Sequence, residues 1–352
     1  MGRKIKKKKS ELRLFIVLLM MVGIAAFVYE SNIIPDYRYL FKKEEDNKTT
    51  PYYFLKATPG TADGRTSIPG TAHGRTASPS SSKLELDFTD SITPDKLNSP
   101  NAILIYLKDQ TTLMQKNSED KIYPASLTKM MTTIVALENL SNLKDEIKLT
   151  NSTFQGLYEA GASMAGFQPG ERVMAIDLLY GVMLPSGAEC CVGLAEHIAG
   201  SEQNFVKLMN EKASELGMKS THFENTTGLH NENHYTTVND LAILLSYALQ
   251  NNTFREIFTS SRHSTAPTNK HPGGMTFYST MFEGLSSQNL VDGEILGGKT
   301  GYTDEAGLCL ASLARIGKQE YILISAGAKG DHHSEQYNIT DALTVYNSMG
   351  EE

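Results

Sequence analysis

Pro124-Ala125-Ser126-Leu127-Thr128-Lys129 sets a serine and a lysine three positions apart, just ahead of the apolar run Met130-Met131-Thr132-Thr133-Ile134-Val135-Ala136-Leu137. Proline, then serine, then a periodic apolar run predicts a helix starting near Ser126. Positions i and i+3 share a helix face, so the Lys129 ammonium is expected over the Ser126 hydroxyl. A serine hydroxyl is a poor nucleophile until a base takes its proton. Lysine serves as that base when its surroundings lower its pKa. Alone, the pair also fits a solvated contact on a helix's first turn.

Working outward, 352 residues with 40% apolar content suffice for one large domain or two small ones. The net charge of −7 hides an asymmetry. Residues 1–13 carry seven of the 33 basic residues and one acid, Glu11, which leaves 26 basic against 39 acidic residues in the remainder. So acidic a body argues against a nucleic-acid partner. The basic tail runs into Leu14-Phe15-Ile16-Val17-Leu18-Leu19-Met20-Met21-Val22-Gly23-Ile24-Ala25-Ala26-Phe27-Val28, with no charge in it. Two readings of 14–29 stand: a cleaved signal peptide, or an uncleaved signal-anchor with Tyr29 at the interface. No clean A-x-A site follows the run, which favours the anchor. Either way the rest of the chain is expected outside the cytoplasm.

Residues 30–83 read as a flexible stalk. They include the repeat Pro59-Gly60-Thr61-Ala62-Asp63-Gly64-Arg65-Thr66 and Pro69-Gly70-Thr71-Ala72-His73-Gly74-Arg75-Thr76 in a Gly/Pro/Ser/Thr-rich context. A folded domain is expected over 84–350. Ala102–Leu107 and 112–115 read as a strand pair. Two helical stretches in 174–199 break at Pro185-Ser186-Gly187, helices follow over 202–216 and 237–250, and strands over 308–314 and 321–326 lead to a closing helix over 334–348. Strands at both ends with helices between predict an α/β sandwich whose sheet pairs the terminal strands, with the site at the sheet's edge. Cys190, Cys191 and Cys309 make no disulfide framework and read as buried small hydrophobes.

Two further elements join Ser126 and Lys129. Leu184-Pro185-Ser186-Gly187 puts a serine at the helix break, and Gly297-Gly298-Lys299-Thr300-Gly301 is a basic strand flanked by glycines. Glycines let a ligand's backbone approach a strand edge. Lys299 there offers a cation, and Thr300 a hydroxyl, to a substrate carboxylate. Singly, Ser186 also reads as a helix cap and Lys299 as an edge charge.

Ser-x-x-Lys, then Ser-Gly, then Lys-Thr-Gly resembles the penicillin-interacting serine enzymes. The text around these motifs is similar to the serine-type D-alanyl-D-alanine carboxypeptidases, the low-molecular-mass penicillin-binding proteins. It includes Asp177-Leu178-Leu179-Tyr180-Gly181-Val182-Met183, Phe223-Glu224-Asn225-Thr226-Thr227-Gly228-Leu229, His234-Tyr235-Thr236-Thr237 and Gly298-Lys299-Thr300-Gly301-Tyr302-Thr303. The resemblance spans about residues 98–330. It implies the α/β penicillin-binding/β-lactamase-like transpeptidase fold, an antiparallel sheet with helices on both sides. There are two departures. Ala188 stands where the family usually has asparagine, so that either water fills the place or another polar side chain such as Glu189 swings in. The chain also stops at Glu352, before any second β-rich C-terminal domain.

The resemblance implies acyl transfer to Ser126 from a peptidoglycan stem peptide ending in D-Ala-D-Ala. Lys129 is the base, and Ser186, bonded to Lys129 and Lys299, relays the proton. The backbone N–H groups of Ser126 and Tyr302 form the oxyanion hole, and Lys299, Thr300, Gly301 and Tyr302 bind substrate. It also implies covalent inhibition by β-lactams, a role in cell-wall maturation, and no metal or cofactor. His234 reads as structural, and His332-His333 as a surface turn. Two rivals share the plan. A class A β-lactamase needs a glutamate-bearing loop, for which Glu224 and Glu232 are the candidates. A non-catalytic penicillin-fold binding module would explain Ala188 as decay.

Overall fold

The computed structural model describes residues 93–350. The basic tail, the apolar segment 14–29, the stalk 30–83 and the first residues of the expected 84–350 domain lie outside them. In chain order, β1 (Asn101–Tyr106) and β2 (Thr111–Lys116) form a hairpin, and a 3-10 turn (Ala125–Leu127) runs straight into α1 (Thr128–Asn139). A short ribbon of β3 (Glu146–Lys148) and β4 (Arg172–Met174) precedes α2 (Ala175–Met183) and α3 (Ala188–Ala199). α4 (Glu202–Leu216), α5 (Val238–Ala248) and α6 (Asn252–Thr259) follow, each opened by a side-chain cap, from Ser201, Thr237 and Asn251. A second ribbon pairs β5 (Arg262–Ser264) with β6 (Thr276–Tyr278). Then come α7 (Thr280–Gly284), β7 (Asn289–Leu290), β8 (Gly293–Thr303), β9 (Gly307–Ile316), β10 (Gln319–Ala328) and α8 (Tyr337–Ser348).

The main sheet is antiparallel in the order β2-β1-β10-β9-β8-β7. The first long strand thus lies beside the last, with Ile103 opposite Ile324, as the apolar runs at both ends predict. Side chains alternate across a strand. Ile103, Ile105, Ile322 and Ile324 enter the large core shared with α1–α6, while Ala102, Leu104, Leu323 and Tyr321 pack under α8 on the opposite face. Both faces are covered, so these strands read as continuous apolar runs rather than alternating ones. β7 pairs only with the start of β8, at Glu294 and Gly293. Residues 299–303 therefore form the sheet's rim beside the 3-10 turn that carries Ser126.

The breaks at 184–187 and at Gly217 fall where the sequence puts them; Gly217 closes α4 in the left-handed conformation. α6, α7 and the two ribbons are unannounced. Their helices and strands are only three to eight residues long, too short for a period to register. Cys190, Cys191 and Cys309 are free and buried.

α1 fills the centre of the large core, with Ile134 only 1% exposed. Ile134→Ala is expected to cost about 2–5 kcal/mol, the scale for removing a buried branched side chain. Urea unfolding checks this, and a loss under about 0.5 kcal/mol would show the helix is not held by that core.

Candidate active site

Ser126 sits in the 3-10 turn rather than in the α-helix proper. Lys129 lies three positions on, in the first turn of α1, so the two side chains share one face. Lys129 Nζ lies 3.1 Å from Ser126 Oγ and donates to the carbonyl of Thr227 at 2.6 Å. The lysine is 2% exposed. Burial is the main cause that lowers its pKa, against the charges of Cys191, Glu189 and Cys190, which would raise it. The neutral amine so favoured can accept the serine proton while still donating to Thr227.

Close backbone approaches hold this contact. Ala125 has φ +46°, a conformation unusual for a residue with a side chain. Gly228 (φ +82°) lies against it, so close that a Cβ there would fall 1.8 Å from the Ala125 carbonyl oxygen. On the opposite side a Cβ on Gly301 would come within 3.1 Å of the Ser126 nitrogen. The loop bearing Thr227 and Gly228 is tied by Asn225, whose side-chain oxygen accepts from the N–H groups of both. Glu202 accepts from the N–H and hydroxyl of Thr226.

Two cavities meet at Ser126. One, of about 410 Å³, includes Lys129, Ala188, Thr227, Gly228 and Glu305 in its walls. The other, of about 320 Å³, includes Ser186, Thr280, Thr300, Gly301 and Asn338. Ser126, Ser163, Tyr302 and His332 line both. Of the residues singled out from sequence, Ser126, Lys129, Ser186, Thr300, Gly301 and Tyr302 are thus gathered around one junction. Thr300 Oγ1 bonds Thr280 Oγ1 at 2.6 Å, and Tyr302 donates its hydroxyl to Asp304 at 2.7 Å.

Three expectations are corrected. Ser186 bonds neither Lys129 nor Lys299. It is 5% exposed, in the left-handed region at φ +65°, and its hydroxyl has no partner among the described residues. A buried hydroxyl without a partner is costly, and Ser186 is among the residues that line the smaller cavity. Lys299 lines neither cavity. It is 1% exposed and donates to the Thr300 carbonyl at 2.8 Å; burial, then the nearby Lys129, pushes its pKa well down. Glu189 does not swing toward the Ala188 position. Its carboxylate accepts from the N–H groups of Gly166 (2.9 Å) and Phe167 (3.3 Å), and burial raises its pKa. Beside Ala188 stands Ser163 instead, joined by the bond from Ala188 N to Ser163 O at 2.8 Å.

His234 is structural. It is buried, bonds Thr128 Oγ1 at 2.8 Å through Nε2, and its Nδ1 accepts from Glu224 N. Burial lowers its pKa to about 3, so it stays neutral. Glu224 pairs with His222, and neither Glu224 nor Glu232 lines either cavity. His332 does lie in an exposed turn, but its ring meets Tyr302 edge-on at 4.9 Å over the cavities. Sequence reasoning gave no role to Thr227, Ser163 or His332. Thr227 acts through its carbonyl, which no side-chain pattern encodes. The other two reach the site only through tertiary folding.

Comparison with known proteins agrees with this geometry. Residues 89–330 match the profile of the D-alanyl-D-alanine carboxypeptidase family. D-alanyl-D-alanine carboxypeptidase DacF of Bacillus subtilis is 34% identical over 232 residues, 65% of this chain and 57% of its own length. DacC of Escherichia coli is 32% identical over 238 residues, 65% of this chain and 56% of its own length. The crystal structure of the Streptomyces K15 DD-transpeptidase matches with TM-score 0.65 and 26% identity, over 73% of this chain and 99% of that one. The fold is that of the DD-peptidases. The chain belongs to the D-alanyl-D-alanine carboxypeptidase family, and spans little more than half the length of the curated relatives it matches.

Two outcomes follow from the geometry. Gly228→Ala should displace the Ala125–Ser126 backbone and lower β-lactam acylation by at least about tenfold, since misplaced reacting groups lose rates of that order. Stopped-flow acylation checks this, and an unchanged rate would remove the constraint. For His234, the unfolded chain binds the extra proton between the ordinary value of 6.5 and about 3, while the folded chain does not. Stability should therefore fall as pH drops through that window. His234→Gln should show a smaller Tm decrease from about pH 7 to pH 4.5 than the parent; equal decreases would contradict the assignment.

Proposed function

We propose that this chain is a serine-type D-Ala-D-Ala carboxypeptidase acting on peptidoglycan stem peptides through an acyl-enzyme on Ser126. The observation that carries the reading is the buried Lys129 amine 3.1 Å from the Ser126 hydroxyl, at the junction of two cavities. Ser126 Oγ attacks the carbonyl of the penultimate D-Ala, and its proton passes to Lys129. The tetrahedral oxyanion is held by the N–H groups of Ser126 and Tyr302. The C–N bond then breaks, and the leaving D-Ala amine takes a proton by way of Ser186. Support for that relay is the unpartnered hydroxyl of Ser186, a residue that lines the smaller cavity. Water cleaves the ester in the second half and restores the serine. The same serine would react with β-lactams, whose strained amide presents the same carbonyl.

The β-lactamase reading has little support, because neither candidate glutamate lies on a cavity wall. Retention of both Ser126 and Lys129 in hydrogen-bonding contact speaks against a non-catalytic module. We also propose that residues 14–29 anchor the chain in the bacterial membrane, with the 30–83 stalk holding the domain outside it. The basic run followed by an uncharged apolar run supports this. Among the described residues no helix is long and apolar enough to cross a membrane.

Incubation with a fluorescent penicillin tests the reaction. The parent should form a long-lived adduct and release D-Ala from a diacylated Lys-D-Ala-D-Ala peptide. Ser126→Ala should keep its Tm and lose the adduct entirely. Labelling of the alanine variant, or rapid penicillin turnover by the parent, would overturn the reading.

A further inference from the structure

The Thr227 carbonyl that accepts from Lys129 Nζ is one end of a planar peptide unit whose other end is the Gly228 N–H. In a trans unit the two groups point in opposite directions. Asn225 Oδ1 accepts from that N–H at 2.8 Å, so the carbonyl is turned away from Asn225 and toward the amine, 2.6 Å from it. The same oxygen accepts from the backbone nitrogen and the hydroxyl of Thr227, each at 3.1 Å. Asn225 Nδ2 donates to the Leu229 carbonyl at 2.9 Å. One half-buried side chain thus closes the 225–229 loop from within. Asparagine suits such a turn because its side chain bonds the backbone that follows it. Thr226 is pinned separately: Glu202 accepts from its N–H and hydroxyl, and its carbonyl accepts from Thr132 Oγ1 at 2.7 Å.

We propose that Asn225 is a positioning residue for acyl transfer: it clamps the Thr227–Gly228 peptide so that the Thr227 carbonyl holds the Lys129 amine in register with Ser126. This rests on the reading of Lys129 as the base for Ser126. A neutral amine has two N–H groups and one lone pair. With one N–H held by Thr227, rotation about Cε–Nζ is arrested, and the lone pair and the second N–H are left to face Ser126 Oγ at 3.1 Å. Hydrogen bonds in a chain polarise one another, so an acceptor on the Gly228 N–H strengthens the carbonyl's hold on Lys129.

The amide also brings no charge. Aspartate would accept from the same three donors, but it would set a carboxylate behind the carbonyl that holds Lys129. The titratable groups that bear on Lys129 are Glu189, Cys190 and Cys191 on α3, Lys299 on β8, and His234 ahead of α5. Glu202 on α4 lies beyond Thr226. Burial pushes the Cys191 thiol up to about 12 and the Cys190 thiol well up, and holds His234 down at about 3, so these three are neutral near pH 7. A carboxylate added at 225 would favour the ammonium and raise the pKa of Lys129. Acylation needs the neutral amine, so its dependence on pH would move upward with it.

The test uses the full chain with Asn225→Asp and Asn225→Ala. Stopped-flow penicillin acylation is followed against pH, and nitrogen-15 NMR follows the Lys129 titration. Asn225→Asp keeps the three accepting contacts. Its Lys129 titration and its rate curve should both move up by about one pH unit, and its rate at the alkaline plateau should return to within about threefold of the parent. Asn225→Ala loses the clamp, so its rate should fall at least about tenfold at every pH, well below its Tm, with no return at the plateau. If the alanine variant does not fold, the aspartate variant alone decides. An aspartate variant whose Lys129 titration and rate curve stay in place would overturn the proposal. So would a folded alanine variant that acylates at the parent's rate, because a merely structural role lowers Tm without touching the reaction. Missing penicillin labelling of the parent would count against the reaction itself, and the NMR comparison of parent and aspartate variant remains readable in that case.

Discussion

The structure turns on one contact, a lysine amine enclosed by protein and set against a serine hydroxyl. Burying a lysine is unfavourable because its charged form is torn from water. The unfolded chain keeps the proton that the folded chain tends to lose, so this burial costs stability at every pH below the ordinary lysine value of 10.5. The rest of the fold offsets that cost. α1 rises through the large core, Thr227 supplies a carbonyl for the amine, and Gly228 and Gly301 let two backbones close around the serine. Ala125 and Ser186 both hold left-handed backbone at this site, as is common where a site is held ready.

Much of this was legible in the sequence. The apolar runs at 102–107 and 321–326 gave strands that do pair, and Pro185 and Gly217 marked real helix ends. The Ser126–Lys129 spacing does bring the two side chains into contact, although Ser126 stands in a 3-10 turn just ahead of the helix that carries Lys129. What the sequence could not carry was contact made by backbone atoms or across long separations. Thr227 works through its carbonyl, 98 residues from Lys129. The direction of a buried side chain was equally hidden. Lys299 lies on the expected strand, yet its amine bonds a carbonyl of that strand, and the hydroxyl of Ser186 stands alone. A motif states which residues meet; the packing around them decides which atoms do.

The two cavities differ in their walls. The larger includes Lys129, Ala188 and Ser163. The smaller is rimmed by Thr300 and the turn at 331–336. Ala188 is fully buried, and Glu189 behind it is spent on holding residues 166 and 167. The site thus pairs a serine–lysine centre with walls drawn from β8, α3 and the loops around them, and loops are where specificity is most easily altered.

The central claim is that burial keeps the Lys129 amine deprotonated enough to take the serine proton. Nitrogen-15 NMR of the lysine side chains, with Lys129→Arg to assign the resonance, measures this directly. The account predicts that Lys129 titrates clearly below the ordinary 10.5 and remains the base at neutral or mildly alkaline pH. A Lys129 that titrates at or above that value would contradict it.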